Sequence, residues 1–439
     1  MAVIEGRRGA ETAHGDAGRD VLLDLVRSGA IALVVLQHWL MPVVSRDGAE
    51  LRAGNALATP GAWAWTWIGQ VMPLVFFAAG AAGALSLHRR PEPRAWVAAR
   101  VQRLVLPVFA LLAVWVPLPA LLVAAGLPAQ PVDLAAGVVP QLLWFLVVQL
   151  VLVALTPVMV AAHARYGLAV LVPPVVGAAS VDGLRFAGVP VVGFVNAVLV
   201  WVAVHQLGIA YAEGRFARMT GARAALVGAA GLAATAALVV AGPYPASMVG
   251  MPGAPVSNMS PPTLCLVTLA VFQLGTLLAL RPLLVRAAAA PRAARALALL
   301  APRTMTVFLW HMSALVVGLG VLTLGLGWST PEPWSAGWLL GAPLWVAGLL
   351  VVLCGLVRVA GGLETRSARP PVAPSAVALW PGLLLCAGGL LGLAARGFEA
   401  GVLEPAAWSA ALVAGYLLVT AGVRVRPGAG RGSRRPARA

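Results

Sequence analysis

Apolar residues run along most of this chain in blocks long enough to cross a hydrocarbon core about 30 Å thick, separated by short polar connectors. Such blocks lie near 21–41, 67–87, 104–125, 139–161, 167–181, 189–211, 224–242, 261–281, 302–326, 336–357, 376–395 and 406–423. The pattern predicts an all-α, polytopic membrane helical bundle with about twelve spans and both termini on one side. The fifth block is the shortest and is interrupted by Pro173 and Pro174. If it failed to cross, every later connector would change sides. Two connectors stand apart, 45–66 and 243–262, the second rich in Pro, Gly, Met and small polar residues. Irregular backbone beside a membrane must be buried in protein or line a wet cavity. The second connector therefore reads either as a lid over an outward pocket or as a plain link between helices.

A Pro-containing stretch, 364–375, sets the last two blocks apart. The expected organisation is a disordered cytoplasmic N-terminus over 1–17, a ten-helix core over 18–360 and a cytoplasmic linker over 361–375. A two-helix hairpin over 376–423 and a basic, disordered cytoplasmic tail over 424–439 complete it. No internal repeat is visible, which argues against a transporter built from related halves.

With 60% hydrophobic and only 10% charged residues, the chain is neither an ordinary soluble domain nor a disordered one. A net charge of +16 would suggest nucleic acid in a soluble protein, but the placement of the charge argues otherwise. Arg89 to Arg103, Arg215 to Arg223 and Arg281 to Arg303 fall in one alternating set of connectors, and only Arg46, Arg52, Arg185 and Arg396 in the other. That is the positive-inside asymmetry, so the expected partner is the lipid bilayer rather than nucleic acid. Every basic residue is Arg, and the apolar residues are mostly Ala, Leu, Val, Gly and Pro, the bias of a GC-rich bacterial genome. The expected location is a bacterial plasma membrane. Cys265, Cys354 and Cys386 lie in apolar runs with neither metal-ligand spacing nor a disulfide framework, so no metal site is expected. The first twenty residues lack the apolar region and cleavage site of a signal peptide, so the first helix is expected to remain in the mature protein.

Ionisable side chains at membrane depth are expensive and mark functional paths. Arg27 and His38 lie in the first block, eleven residues apart. Both therefore project from one helix face, roughly 16 Å apart along the axis. Asp24, one short turn before Arg27, is placed to pair with it and hold it. His38 is a candidate catalytic group, and packing or interhelical hydrogen bonding is the alternative. Arg100 and Arg103, three residues apart after the first cytoplasmic connector, share a helix face. Guanidinium pairs bind phosphate in bidentate fashion, as in coenzyme A, or else attract anionic lipid headgroups. His205 and His311 lie roughly 10 and 12 Å from the inner ends of their helices, within reach of a thioester entering from that side or of a neighbouring helix. No Walker loop, dinucleotide fingerprint, HExxH motif or nucleophile elbow appears, so ATP hydrolysis, hydride transfer and zinc proteolysis lack support.

Together these segments resemble the acyltransferase 3 family of integral membrane O-acyltransferases. Its Arg, ten intervening residues and His in the first helix are matched by Arg27 and His38. Its Arg-x-x-Arg leading to a Leu and a Pro is matched by Arg100, Arg103, Leu104 and Pro107. Phe76 and Phe77, the run Trp144 to Leu146, the run His205 to Gly208 and the run Leu309 to His311 also resemble family segments. The family's usual Ser before Gly80 is Ala79 here, and its frequent Ser and Tyr before the last His are Thr304 and Phe308. The resemblance covers about 18–360, and the loop around Ser257 and Asn258 resembles actinobacterial members in particular. It implies transfer of an acyl group, most simply acetyl, from cytosolic acyl-CoA to a hydroxyl of a glycan, lipid or small secreted molecule. No tightly bound cofactor is implied, acyl-CoA being a co-substrate. Arg100 and Arg103 would hold the CoA phosphates, with His205 and His311 beside the thioester arm. Arg27 and His38 would carry the chemistry, His38 as general base or acyl carrier. Ser257 and Asn258 are the acceptor-binding candidates. The alternative is a transporter or exporter of a glycan or lipid intermediate, with Arg27 and His38 as the substrate and proton path.

Overall fold

The structure, a computed structural model, describes residues 20–47, 50–89, 92–251, 254, 256–365, 373–399 and 401–420. The terminal segments expected over 1–17 and 424–439 lie outside the described residues, as does 366–372 of the linker. Among the described residues twelve principal helices make up the bundle. They are α1 Val21–Leu40, α2 Met72–His88, α3 Pro93–Trp115, α4 Leu143–Tyr166, α5 Val172–Phe186 and α6 Asn196–Ala212. They continue with α7 Gly221–Ala241, α8 Leu264–Ala289, α9 Thr304–Gly320, α10 Ala336–Ala360, α11 Ala376–Arg396 and α12 Leu403–Thr420. Among the described residues eleven helical stretches are long and apolar enough to cross a membrane, and the longest, Ala129–Phe186, holds both α4 and α5.

The short fifth helix runs the depth of the bundle. Its 15 residues span about 22 Å, and the 3-10 turn Gly167–Leu171 before it adds about 10 Å. Gly167, at φ 59°, allows the sharp exit from α4 and stands beside Arg215 at the basic end of the bundle. At the other end of α5, Arg185 Nη1 donates to the carbonyls of Ser257 (3.4 Å) and Pro261 (3.3 Å). Two clusters of connectors result, one rich in arginine and one carrying Arg46, Arg52, Arg185 and Arg396, here called the basic end and the far end.

Local chemistry explains two departures from the apolar pattern. Helix α3 begins eleven residues before the third apolar block, because the Glu92 carboxylate accepts from the amides of Arg94 (3.3 Å) and Ala95 and Pro93 takes the first helical position. Arg100 and Arg103 thus stand on a formed helix. At the far end the connector after α1 forms a β-hairpin, β1 Pro42–Asp47 with β2 Glu50–Asn55, paired antiparallel from Pro42 opposite Asn55 to Asp47 opposite Glu50. Thr330 fastens it: Val44 N–H donates to Thr330 Oγ1 (3.0 Å) and Thr330 N–H to the Val44 carbonyl (2.8 Å).

The 243–262 connector is drawn into the bundle. Met248 is fully buried; its amide donates to Thr66 Oγ1 (2.8 Å), and its carbonyl accepts from Gln70 Nε2 (2.7 Å). Buried Asp182 on α5 anchors the other side, accepting from Tyr244 Oη (3.1 Å), the Leu264 amide at the start of α8 (2.8 Å) and Asn196 Nδ2 (2.8 Å). Burial, with the Asp182 carboxylate against it, pushes the Tyr244 phenol above its ordinary range, so it stays a donor. The α11–α12 pair also packs onto the core, with Phe398 buried, its amide donating to the Ala136 carbonyl (3.0 Å) and its ring stacked with Trp115 at 6.1 Å.

Helices α2 and α6 make the close approach that sets the depth of His205. A Cβ on Gly208 would lie 1.9 Å from the Phe77 carbonyl oxygen, and one on Gly80 would lie 2.1 Å from the His205 carbonyl oxygen. Small residues of this kind let membrane helices meet backbone to backbone. Gly208→Ala should therefore force the pair apart and cost about 1–3 kcal/mol, read as a lower melting temperature of the detergent-purified protein. An unchanged melt would contradict this packing.

Candidate active site

One of the two centres of the site is a histidine pair. His38, on the last turn of α1, and His311, midway along α9, meet with His38 Nδ1 and His311 Nε2 3.0 Å apart and ring centroids 5.1 Å apart. His311 is fully buried, and its Nδ1 lies 2.6 Å from the Phe308 carbonyl oxygen. A carbonyl only accepts, so His311 Nδ1 carries the proton and donates it there. In the neutral ring His311 Nε2 then has a lone pair and accepts from His38 Nδ1–H, which leaves the lone pair of His38 on Nε2. His38 keeps part of its surface accessible. Tryptophans brace the pair: Trp39 Nε1 donates to the His311 carbonyl (2.9 Å), and Trp345 Nε1 to the Trp39 carbonyl (2.8 Å). At the far end, beside this brace, Trp39, Trp328, Trp338 and Trp345 wall a small cleft of about 70 Å³.

The other centre is an internal cavity of about 560 Å³ reaching in from the basic end. Arg27, Arg100 and Arg103 line it, with Trp96, Thr156, His205, Gln149, Glu364, Phe145 and Phe308. Arg100 is held along the wall. Its Nη2 donates to the Ala82 carbonyl (3.3 Å) and to Ser86 Oγ, and its guanidinium lies 5.3 Å from the Trp96 ring. Arg27 and Arg103 are exposed in the cavity wall. His205 Nε2 lies 3.0 Å from Thr156 Oγ1, whose own proton goes to the Leu152 carbonyl (2.7 Å), so His205 is the donor of the pair.

An aromatic plug lies between the two centres. Phe145 and Phe308 line the cavity, their centroids are 5.0 Å apart, and Phe308 sits 5.9 Å from the His311 ring. Neither His38 nor His311 lines the cavity.

The structure therefore brings Arg27, Arg100, Arg103 and His205 to one cavity and His38 and His311 to one hydrogen bond. Asp24 stands half-buried one turn before Arg27. Ser257 and Asn258 lie at the far end, outside both groups. Asn258 Nδ2 donates to the carbonyls of Pro245 (2.6 Å) and Ser247 (2.9 Å), and its Oδ1 accepts from Thr263 Oγ1 (2.7 Å). Ser257 Oγ accepts from the amides of Met259 (3.0 Å) and Ser260 (3.1 Å). Both side chains hold their own connector in shape. Among the described residues no group of His, Cys, Asp and Glu has the geometry to hold a metal ion.

Sequence reasoning missed Gln149 and Glu364. Gln149 is a polar residue in an apolar helix, a signal open to the same reasoning that singled out His38. Glu364 gives no such signal, because it lies in a polar connector. The short helix Gly362–Thr365 brings it back over the start of α9, where its carboxylate accepts from the amides of Met305 (3.0 Å) and Thr306 (2.7 Å) and from Thr306 Oγ1.

Fold and site define a polytopic helical membrane protein with a hydrogen-bonded histidine pair above an arginine-lined cavity. A family model for the acyltransferase domain matches residues 20–359, and the chain belongs to the acyltransferase 3 family; it is a membrane acyltransferase. No curated protein and no solved structure matches it.

Glu364 satisfies amides that α9 cannot satisfy itself, so Glu364→Ala should lower stability by about 0.5–2 kcal/mol, the range for losing a helix cap. A thermal melt checks it, and Glu364→Gln should recover part of the loss. Equal melts for wild type and Glu364→Ala would show the cap to be idle.

Proposed function

We propose that the protein moves an acyl group, most simply acetyl, from cytosolic acyl-CoA to a hydroxyl of a glycan, lipid or small secreted molecule. The observation that carries this reading is the alignment of an arginine-lined cavity, an aromatic plug and a histidine pair along one path through the bundle. The arginine asymmetry supports a cytosolic basic end and cytoplasmic termini in a plasma membrane.

In this reading Arg100 and Arg103 hold the CoA phosphates, which guanidinium groups bind well in a cavity of low dielectric. The rise of roughly 16 Å along α1 between Arg27 and His38 supports a donor-holding part for Arg27 rather than contact with the reacting atoms. The acceptor approaches from the far end, along the tryptophan-walled cleft. Its hydroxyl oxygen attacks the thioester carbonyl carbon while His38 Nε2 takes the hydroxyl proton. The new carbon–oxygen ester bond forms, the carbon–sulfur bond breaks, and the sulfur leaves with its electron pair. The proton on His38 then returns to that thiolate, so CoA departs as the free thiol. His311 holds the His38 ring in the tautomer that leaves Nε2 open. A thioester is already activated, so alignment and one proton transfer are the main demands on the protein.

The test uses radiolabelled acetyl-CoA with purified protein in nanodiscs, reading binding and thiol release. Arg103→Ala should weaken acetyl-CoA binding tenfold or more, as expected for one lost charged phosphate contact. His38→Ala should bind the donor normally and lose roughly 100- to 10,000-fold in thiol release, the span of a general base. Wild type that binds no acyl-CoA would overturn the reading in favour of a transporter. Near-normal turnover in His38→Ala would remove His38 from the mechanism.

A further inference from the structure

Gln149 lies in the second turn of α4 (Leu143–Tyr166) and is only 9% exposed. Its Oε1 is buried without a hydrogen-bond partner. Asn196 and Gln273 also keep one unmatched buried oxygen, but their amide nitrogens donate to Asp182 and to the Gln70 carbonyl. The Gln149 side chain makes no hydrogen bond at all among the described residues. In a membrane helix such a group is costly, and leucine or valine, its neighbours on both sides, would avoid the cost.

The Gln149 side chain is part of the wall of the arginine-lined cavity. Phe145, one turn towards the far end, and Val153, one turn towards the basic end, line the same cavity. Gln149 therefore sits roughly 6 Å along the axis below the aromatic plug. A primary amide offers one acceptor and two donors side by side, which matches another amide and is wasted on a hydrocarbon chain. Phosphates and carboxylates have the arginines at the same cavity. The pantetheine arm of an acyl-CoA carries two amides, the nearer one two methylenes from the sulfur.

We propose that Gln149 binds that nearer pantetheine amide and so sets how far the thioester advances towards Phe145, Phe308 and the histidine pair. The inference rests on the acyl-CoA reading above. It makes Gln149 a donor-binding residue that reads the arm and not the nucleotide.

The test is competition against radiolabelled acetyl-CoA on the purified full chain in nanodiscs. The competitors are pantetheine, which is the arm alone, and adenosine 3′,5′-bisphosphate, a nucleotide without the arm. In Gln149→Leu the Kd for pantetheine and for acetyl-CoA should rise about tenfold, equivalent to about 1.4 kcal/mol, while the bisphosphate is unaffected. Arg103→Ala should do the reverse, weakening the bisphosphate and sparing pantetheine. The melting temperature of ligand-free Gln149→Leu should stay level or rise, because an unmatched polar group is removed; a structural glutamine would lower it. Gln149→Met, of similar shape and without the amide, gives the same comparison should the leucine variant fold poorly. If pantetheine competes equally well against either folded variant and wild type, the inference is wrong. If wild type binds no acetyl-CoA, the acyl-CoA reading itself fails, a result readily told apart from the first.

Discussion

Within a bilayer a neutral imidazole holds one orientation only if its protein partners impose it, and here a single carbonyl begins the chain of constraint. The Phe308 carbonyl fixes the proton on His311 Nδ1, which makes His311 Nε2 an acceptor, which in turn fixes the proton on His38 Nδ1. The outcome, an open lone pair on His38 Nε2, is decided two residues away from the atom it serves. The surrounding architecture protects this chain. Trp39 and Trp345 tie the end of α1 to the inner stretches of α9 and α10, and the α2–α6 glycine contact carries His205 to the cavity wall below.

The second physical theme is charge in a confined space. Three arginines share the lining of one cavity with a single carboxylate, that of Glu364, whose hydrogen bonds go to the amides at the start of α9. The wall is therefore strongly cationic, and low dielectric makes each cation felt over a longer distance than in water. Phe145 and Phe308 close the deep end, so the cationic chamber and the histidine pair are adjacent and yet separate. Such a division suits a transfer whose two substrates arrive from opposite faces of a membrane.

Much of this was legible in the sequence. Apolar block lengths gave the helices, including the short fifth one, whose Pro173 and Pro174 sit in its first turn, where proline is tolerated. Arg27, His38, Arg100 and Arg103 stood out because ionisable groups in or beside apolar helices are expensive. The partner of His38 was not legible, because 273 residues separate it from His311 and only tertiary packing unites them. The role of Glu364 was hidden for the opposite reason: a glutamate in a polar connector is unremarkable until the chain folds back. Ser257 and Asn258 leave two uses open. Small polar residues suit binding a sugar and building a turn equally well, and in this structure their hydrogen bonds go to the connector itself.

On the acyl-CoA reading the cavity and the histidine pair lie on one path, entered from the basic end. The most direct measurement is a cryo-electron microscopy structure of the wild-type protein in nanodiscs with a non-hydrolysable thioether analogue of acetyl-CoA. Density is expected along the cavity, with phosphates against Arg100 and Arg103 and the acyl end at Phe145 and Phe308, directed towards His38. Density that leaves the cavity empty, or that puts the nucleotide at the far end beside the tryptophans, would contradict it.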